Sequence, residues 1–74
     1  MVKINQQELK KLDFNKSEYE YFLENCNFTD RQKEILDLRR SGKSIIEITF
    51  ITNLSESTIN REIKAIKRKI FKII

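Results

Sequence analysis

Five isoleucines near the end of the chain, Ile59, Ile63, Ile66, Ile70 and Ile73, recur at alternating intervals of four and three. Those intervals keep side chains on one side of a helix, whereas a strand would require alternation by two. The positions between them carry Arg61, Lys64, Lys67, Arg68, Lys69 and Lys72. The spacing predicts one long helix over 56–73 with an apolar stripe and cationic remaining faces. Core packing is the simplest use for that stripe. The closing run IKAIKRKIFKII would also suit an anionic membrane surface, and its four–three spacing would suit a short seam between two chains.

The rest of the chain is punctuated by helix caps. It contains no proline and a single glycine, so helices must end through Gly, Asn and Ser signals. Asn5 and Glu8 have the spacing of a capping box, followed by a short helix over 6–12 with Leu9 and Leu12 on one face. Ser17 and Glu20 form a second box, for a helix running to Asn25 with an apolar face of Tyr19, Phe22, Leu23 and Cys26. Thr29 and Gln32 form a third, preceded by Phe28 as a staple residue. Arg39 and Arg40 then oppose the helix dipole, and Gly42 supplies a left-handed C-terminal cap.

The segment 44–53, SIIEITFITN, is the ambiguous one. Isoleucine, threonine and phenylalanine favour strands. However, Ser44 and Glu47 make a fourth capping box, and the chain has no second strand-like run to pair with. Isoleucine costs only a few tenths of a kcal/mol in a helix relative to leucine. The expectation is a helix over 45–52, a turn at Asn53 and Leu54, and Ser55 as cap of the final helix. The fold class is therefore all-α: a small helical bundle of about five helices, with a helix–turn–helix and a long C-terminal recognition helix.

Composition narrows the function. The chain has no histidine and one cysteine, Cys26, so a Cys/His zinc site, His-based acid–base catalysis and an intrachain disulfide are all excluded. One glycine leaves no Gly-rich phosphate loop, and Cys26 reads as a buried structural thiol. Nothing resembles an active site; neither an enzyme nor a cofactor is expected. No apolar run approaches the ~20 residues needed to span a bilayer, and the polar N-terminus lacks a signal-peptide core; a cytoplasmic protein is expected, with no membrane partner and no small-molecule substrate. The net charge is +4, and residues 56–74 alone carry six basic against two acidic side chains. A charge excess at one end suits an anionic partner.

Residues 28–70 resemble the DNA-binding domain of the LuxR/GerE-type transcription regulators. Phe28, Thr29, Asp30 and Arg31 stand for that family's opening, and Gly42, Ser44, Glu47, Ile48, Leu54, Ser55, Thr58, Ile59, Lys69 and Ile70 match its pattern in register. The final domain of sigma factors has a similar helix order and is a close second. Three features depart from the family pattern. Thr49 stands where a small residue is expected and Thr52 where a leucine is. Phe50 and Ile51 take places that are often polar. Finally, the residues up to Ile74 suffice only to lengthen the recognition helix, where the family carries a further dimerisation helix, so monomer and dimer both stay open.

The resemblance implies a transcription regulator that binds double-stranded DNA, with helix 45–52 resting on the backbone and helix 56–73 reading the major groove. Glu56, Ser57, Asn60 and Arg61 are the candidates for base contact, because they occupy its first turns and avoid the buried positions. Lys43, Ser44, Thr58, Lys64, Lys67 and Arg68 are the candidates for phosphate contact. Phe50, Ile51, Ile70, Phe71, Ile73 and Ile74 form a candidate surface for a protein partner or a second copy. Residues 1–27 are expected to be a two-helix extension packed on the core of residues 28–74. Helix 45–52, apolar on nearly all sides, is expected to be buried, and Leu9, Leu12, Phe14, Tyr19, Phe22 and Leu23 offer a cover for it or for the end of the last helix. The alternatives are a sigma-like factor that also contacts RNA polymerase, and a protein-interaction adaptor or inhibitor that keeps the fold without reading DNA.

Overall fold

The computed structural model describes residues 14–73. They form four helices, α1 (Lys16–Asn25), α2 (Asp30–Arg40), α3 (Ile45–Thr52) and α4 (Glu56–Ile73), with no strand among the described residues. The all-α expectation holds, and the strand-prone segment is the helix α3. The helix expected over 6–12, with Leu9 and Leu12, lies outside the described residues, as does Ile74.

Local chemistry explains each boundary. The capping box of α1 is made by Asn15 and Glu18: the Asn15 side chain accepts from the Glu18 amide at 2.8 Å, and the Asn15 amide donates to the Glu18 carboxylate at 3.0 Å. The expected cap, Ser17, is instead inside the first turn. Asparagine caps as well as serine, and starting two residues earlier makes Phe14 the residue before the cap. Phe14 is then buried, edge-on to Phe22 with ring centroids 4.8 Å apart. Thr29 and Gln32 cap α2 as expected. Its end is closed by Gly42 at φ +89°, where the Gly42 amide donates to Arg39 and the Lys43 amide to Leu38. Ser44 and Glu47 cap α3.

The isoleucine stripe of α4 is the axis of the core. Ile59, Ile66 and Ile70 are fully buried and Ile63 nearly so. They meet Ile35 and Leu36 of α2, Ile48 of α3, and Phe14, Phe22, Cys26 and Phe28 from the N-terminal side, all in one cluster. α4 packs against both α2 and α3. Burying each such side chain stabilises the fold by about 1.5–3 kcal/mol. Ile70, expected on a partner surface, is instead at the centre of this cluster, because it continues the same stripe that starts at Ile59.

The N-terminal side docks on the far ends of α2 and α4. Arg40 donates from Nε to the Phe14 carbonyl at 3.3 Å and lies over the Tyr19 ring, 4.6 Å from its centroid. Burial, with help from Asp37, pushes the Tyr19 hydroxyl pKa up. Lys69 of α4 donates to the Asn27 carbonyl at 2.6 Å. Cys26 is buried beside it, and burial raises its thiol pKa against the opposing pull of Lys69.

α3 departs from expectation. Only Ile48 is buried and Ile45 half-buried, while Ile46, Phe50 and Ile51 are 61%, 79% and 53% exposed. Eight residues give little more than two turns, and a helix that short offers one side to α2 and α4. Phe14 and Phe22 are spent in the main core, and Tyr19 and Leu23 pack against it, so they do not cover Phe50.

Two outcomes follow. Ile66→Ala should cost about 2–5 kcal/mol in urea unfolding, whereas Ile46→Ala on the open side of α3 should stay within about 0.5 kcal/mol. The Glu47 carboxyl is held below its ordinary pKa chiefly by its hydrogen bond with the Ser44 amide, then by that with the Ser44 hydroxyl, with Lys43 adding. A depressed folded-state pKa contributes stability above the ordinary value of about 4.3, lost as pH falls through the lowered one. The stability gap between the protein and Glu47→Gln, measured by denaturation, should therefore narrow between about pH 7 and about pH 3.

Candidate nucleic-acid interface

The α3–turn–α4 unit is built by side chains that satisfy the backbone where the chain reverses. Asn53 adopts a left-handed conformation, φ 58°, and its amide donates to the Thr49 carbonyl. Asparagine tolerates that region better than most residues with a side chain. The Thr52 hydroxyl donates to the Ile48 carbonyl at 2.7 Å and accepts from the Leu54 amide at 3.3 Å. The Thr49 hydroxyl donates to the Ile46 carbonyl at 2.6 Å. These bonds explain how two threonines fit where smaller or apolar residues were expected. Each hydroxyl is turned back on its own helix, so no donor is left unpaired near the helix contact. Leu54 packs against the core. Ser55 then accepts from the Thr58 amide at 3.1 Å and donates to the Thr58 hydroxyl at 2.9 Å, which starts α4.

With 3.6 residues per turn, positions on α4 can be assigned around its axis. Ser57, Arg61, Lys64, Arg68 and Lys72 fall within about 40° of the line opposite the isoleucine stripe. All five are exposed. Four of them are cationic, and the acids of α4, Glu56 and Glu62, each lie about 120° from that line. Asn60 is exposed and sits about 80° to one side. The outward edge of α4 is thus free of carboxylates, with Ser57 in the first turn followed by a basic ridge from Arg61 to Lys72.

The other expected site residues are distributed as follows. Glu56 is exposed in the first turn of α4, at the edge nearer the core-facing side. Its charge suits the helix N-terminus more than the ridge. Thr58 is half-buried and tied to Ser55. Lys67 is half-buried on a flank. Ser44 is exposed with its hydroxyl accepting from the Glu47 amide, and Lys43 beside it is half-buried, its carbonyl accepting from Arg39 at 2.9 Å. Of the expected partner surface, Phe50, Ile51 and Phe71 are exposed and Ile73 is half-buried. Lys72 is a ridge residue absent from the candidates drawn from the sequence, although its i+4 spacing from Arg68 and i+8 from Lys64 is visible there. Lys69 is a cation of α4 turned inward, a fact that depends on α2 being its neighbour.

Among the described residues, no group of three His, Cys, Asp or Glu side chains converges as a metal site, and no helix is long and apolar enough to cross a membrane. No curated protein and no solved structure gives a significant match to the chain. A family model, GerE (bacterial regulatory proteins, luxR family), matches residues 26–71, which take in all of α2 and α3 and nearly all of α4. This chain therefore belongs to the luxR family of bacterial regulatory proteins, as a helix–turn–helix domain of the DNA-binding kind.

Proposed function

We propose that this chain is a transcription regulator that reads the major groove of double-stranded DNA with α4, while α3 lies across the backbone. The observation that carries the reading is the basic ridge from Arg61 to Lys72 on the outward edge of α4, the helix that follows the turn of the motif. In this docking the N-terminal residues of the second helix meet base edges. Arg61 and Ser57 on the outward edge and Asn60 beside it have the reach and the chemistry. Arginine can bridge guanine O6 and N7, and asparagine can pair with adenine N6 and N7. Glu56 sits off the ridge, and its role in this reading is at the helix N-terminus. Lys64, Arg68 and Lys72 continue toward the phosphates, because α4 is about 27 Å long and the groove only about 12 Å wide. Lys67 adds charge on one flank. Ser44 and Lys43 at the start of α3 would meet a phosphate through the Lys43 ammonium and the Ser44 hydroxyl.

A second reading rests on a different observation. Ile46, Phe50 and Ile51 are exposed apolar side chains on α3, outside the ridge of α4. That exposure favours a protein contact in addition to DNA, as in a sigma-like factor, or in place of it, as in an adaptor. Arg61→Ala separates the readings: it weakens sequence preference in a regulator and leaves partner capture unchanged in an adaptor.

Three outcomes test the regulator. Sequences selected from a random duplex pool should converge on a motif. With about five phosphates neutralised, log affinity should fall against log salt with a slope near −4 to −5; a slope near zero removes this face from DNA binding. Arg61→Ala should relax preference at one base pair by about 1–3 kcal/mol, while Lys64→Gln should weaken all sequences alike and reduce the slope by about 1.

A further inference from the structure

Gln32 is a buried polar side chain, only 4% exposed, at the third position of α2. Its amide is used at both ends. Oε1 accepts from the Thr29 backbone amide at 3.1 Å and from Lys69 Nζ at 2.5 Å. Nε2 faces Glu62 Oε1 at 3.5 Å. Glu62 and Lys69 are seven residues apart on α4, hence two turns apart on nearly the same side. Lys69 is held further by the Asn27 carbonyl, with its ammonium 5.9 Å from the centroid of the Phe28 ring.

This arrangement sorts by polarity. The oxygen end of the amide faces the cation and the nitrogen end faces the carboxylate, so the side chain fits between them in one orientation. The apolar stripe of α4 holds it against its neighbours by burial that is itself non-directional, so polar contacts add to what opposes sliding and rolling. Two charge-assisted contacts spaced along α4 are directional and resist both motions. They lie about 100–120° around the helix from the ridge, so a slip in them would carry Ser57, Asn60 and Arg61 with it.

We propose that Gln32, through Lys69 and Glu62, is a positioning residue for base reading: it fixes the roll and axial level of α4. This rests on the DNA-reading function proposed above. Non-specific affinity, which comes from phosphate contacts, tolerates a small roll of the helix; base contacts do not.

The test compares binding to a selected duplex and to a random duplex of equal length, using the whole chain. Gln32→Leu removes the polar contacts while keeping bulk. Its ratio of selected to random affinity should fall at least tenfold, with random-duplex affinity and salt slope within twofold of the original. Gln32→Glu alone sets a carboxylate against Glu62 and should lose the ratio as well. Adding Glu62→Gln restores a donor opposite an acceptor and should recover it. Circular dichroism at the assay temperature verifies folding. If Gln32→Leu does not fold, the Gln32→Glu variant and its double with Glu62→Gln decide the matter alone. A folded Gln32→Leu with an unchanged ratio overturns the proposal, as does a double variant no better than the single. An unsubstituted chain that shows no preference in the same assay overturns the base-reading function itself, and the positioning role falls with it.

Discussion

The packing of one isoleucine seam against three other segments is the constraint on which this domain depends. Ile59, Ile63, Ile66 and Ile70 run along α4 and are covered by α2, by Ile48 of α3 and by aromatic residues from the N-terminal side. Among the described helices, no other has an equally long apolar edge. α3 contributes one fully buried side chain and α1 contributes Phe22. A small domain has a thin stability margin, so the element that reads DNA in our proposal is also the element that holds the core together. The consequence is geometric: with one side of α4 fully committed inward, the opposite side is free to be all polar without weakening the fold.

That division explains the electrostatics. The ridge of Arg61, Lys64, Arg68 and Lys72 would repel itself in a compact state, yet each charge is solvated and spread over about three turns of helix. Other cations are engaged by specific contacts. Lys69 meets the Asn27 carbonyl and Gln32, and Arg40 meets the Phe14 carbonyl and the Tyr19 ring. The inward cations tie segments together, and the outward ones are left exposed, available in our proposal to an anion. In the turn, Thr49 and Thr52 follow the same economy of polar groups by donating to their own helix.

Much of this architecture is legible in the amino-acid sequence. Capping residues have local effects, so Thr29, Ser44 and Ser55 mark helix starts correctly, and Gly42 marks an end. The α3 and α4 boundaries follow from caps and period alone. The cap of α1 lies two residues from its expected place because Asn15 and Ser17 both head a stretch with glutamate three positions later. What selects Asn15 is that Phe14 finds Phe22 and a core to enter. The ridge is legible as charge and spacing. Its freedom from carboxylates on the outward edge emerges only once the axis of burial is known.

Periodicity and capping are properties of neighbouring residues, and so the chain alone dictated the four described helices, their limits to within a turn, the motif at Asn53 and Leu54, and an amphipathic α4. Which faces meet is a matter of residues far apart in the chain. Tertiary packing decided that Ile70 is core and not surface, that Phe50 and Ile51 stay open while a helix apolar all round would have been buried, and that Lys69 turns inward to Gln32, thirty-seven positions away. Each of those outcomes depends on the area that one short helix can offer its neighbours and on the pairing of specific donors with specific acceptors. No local pattern encodes either.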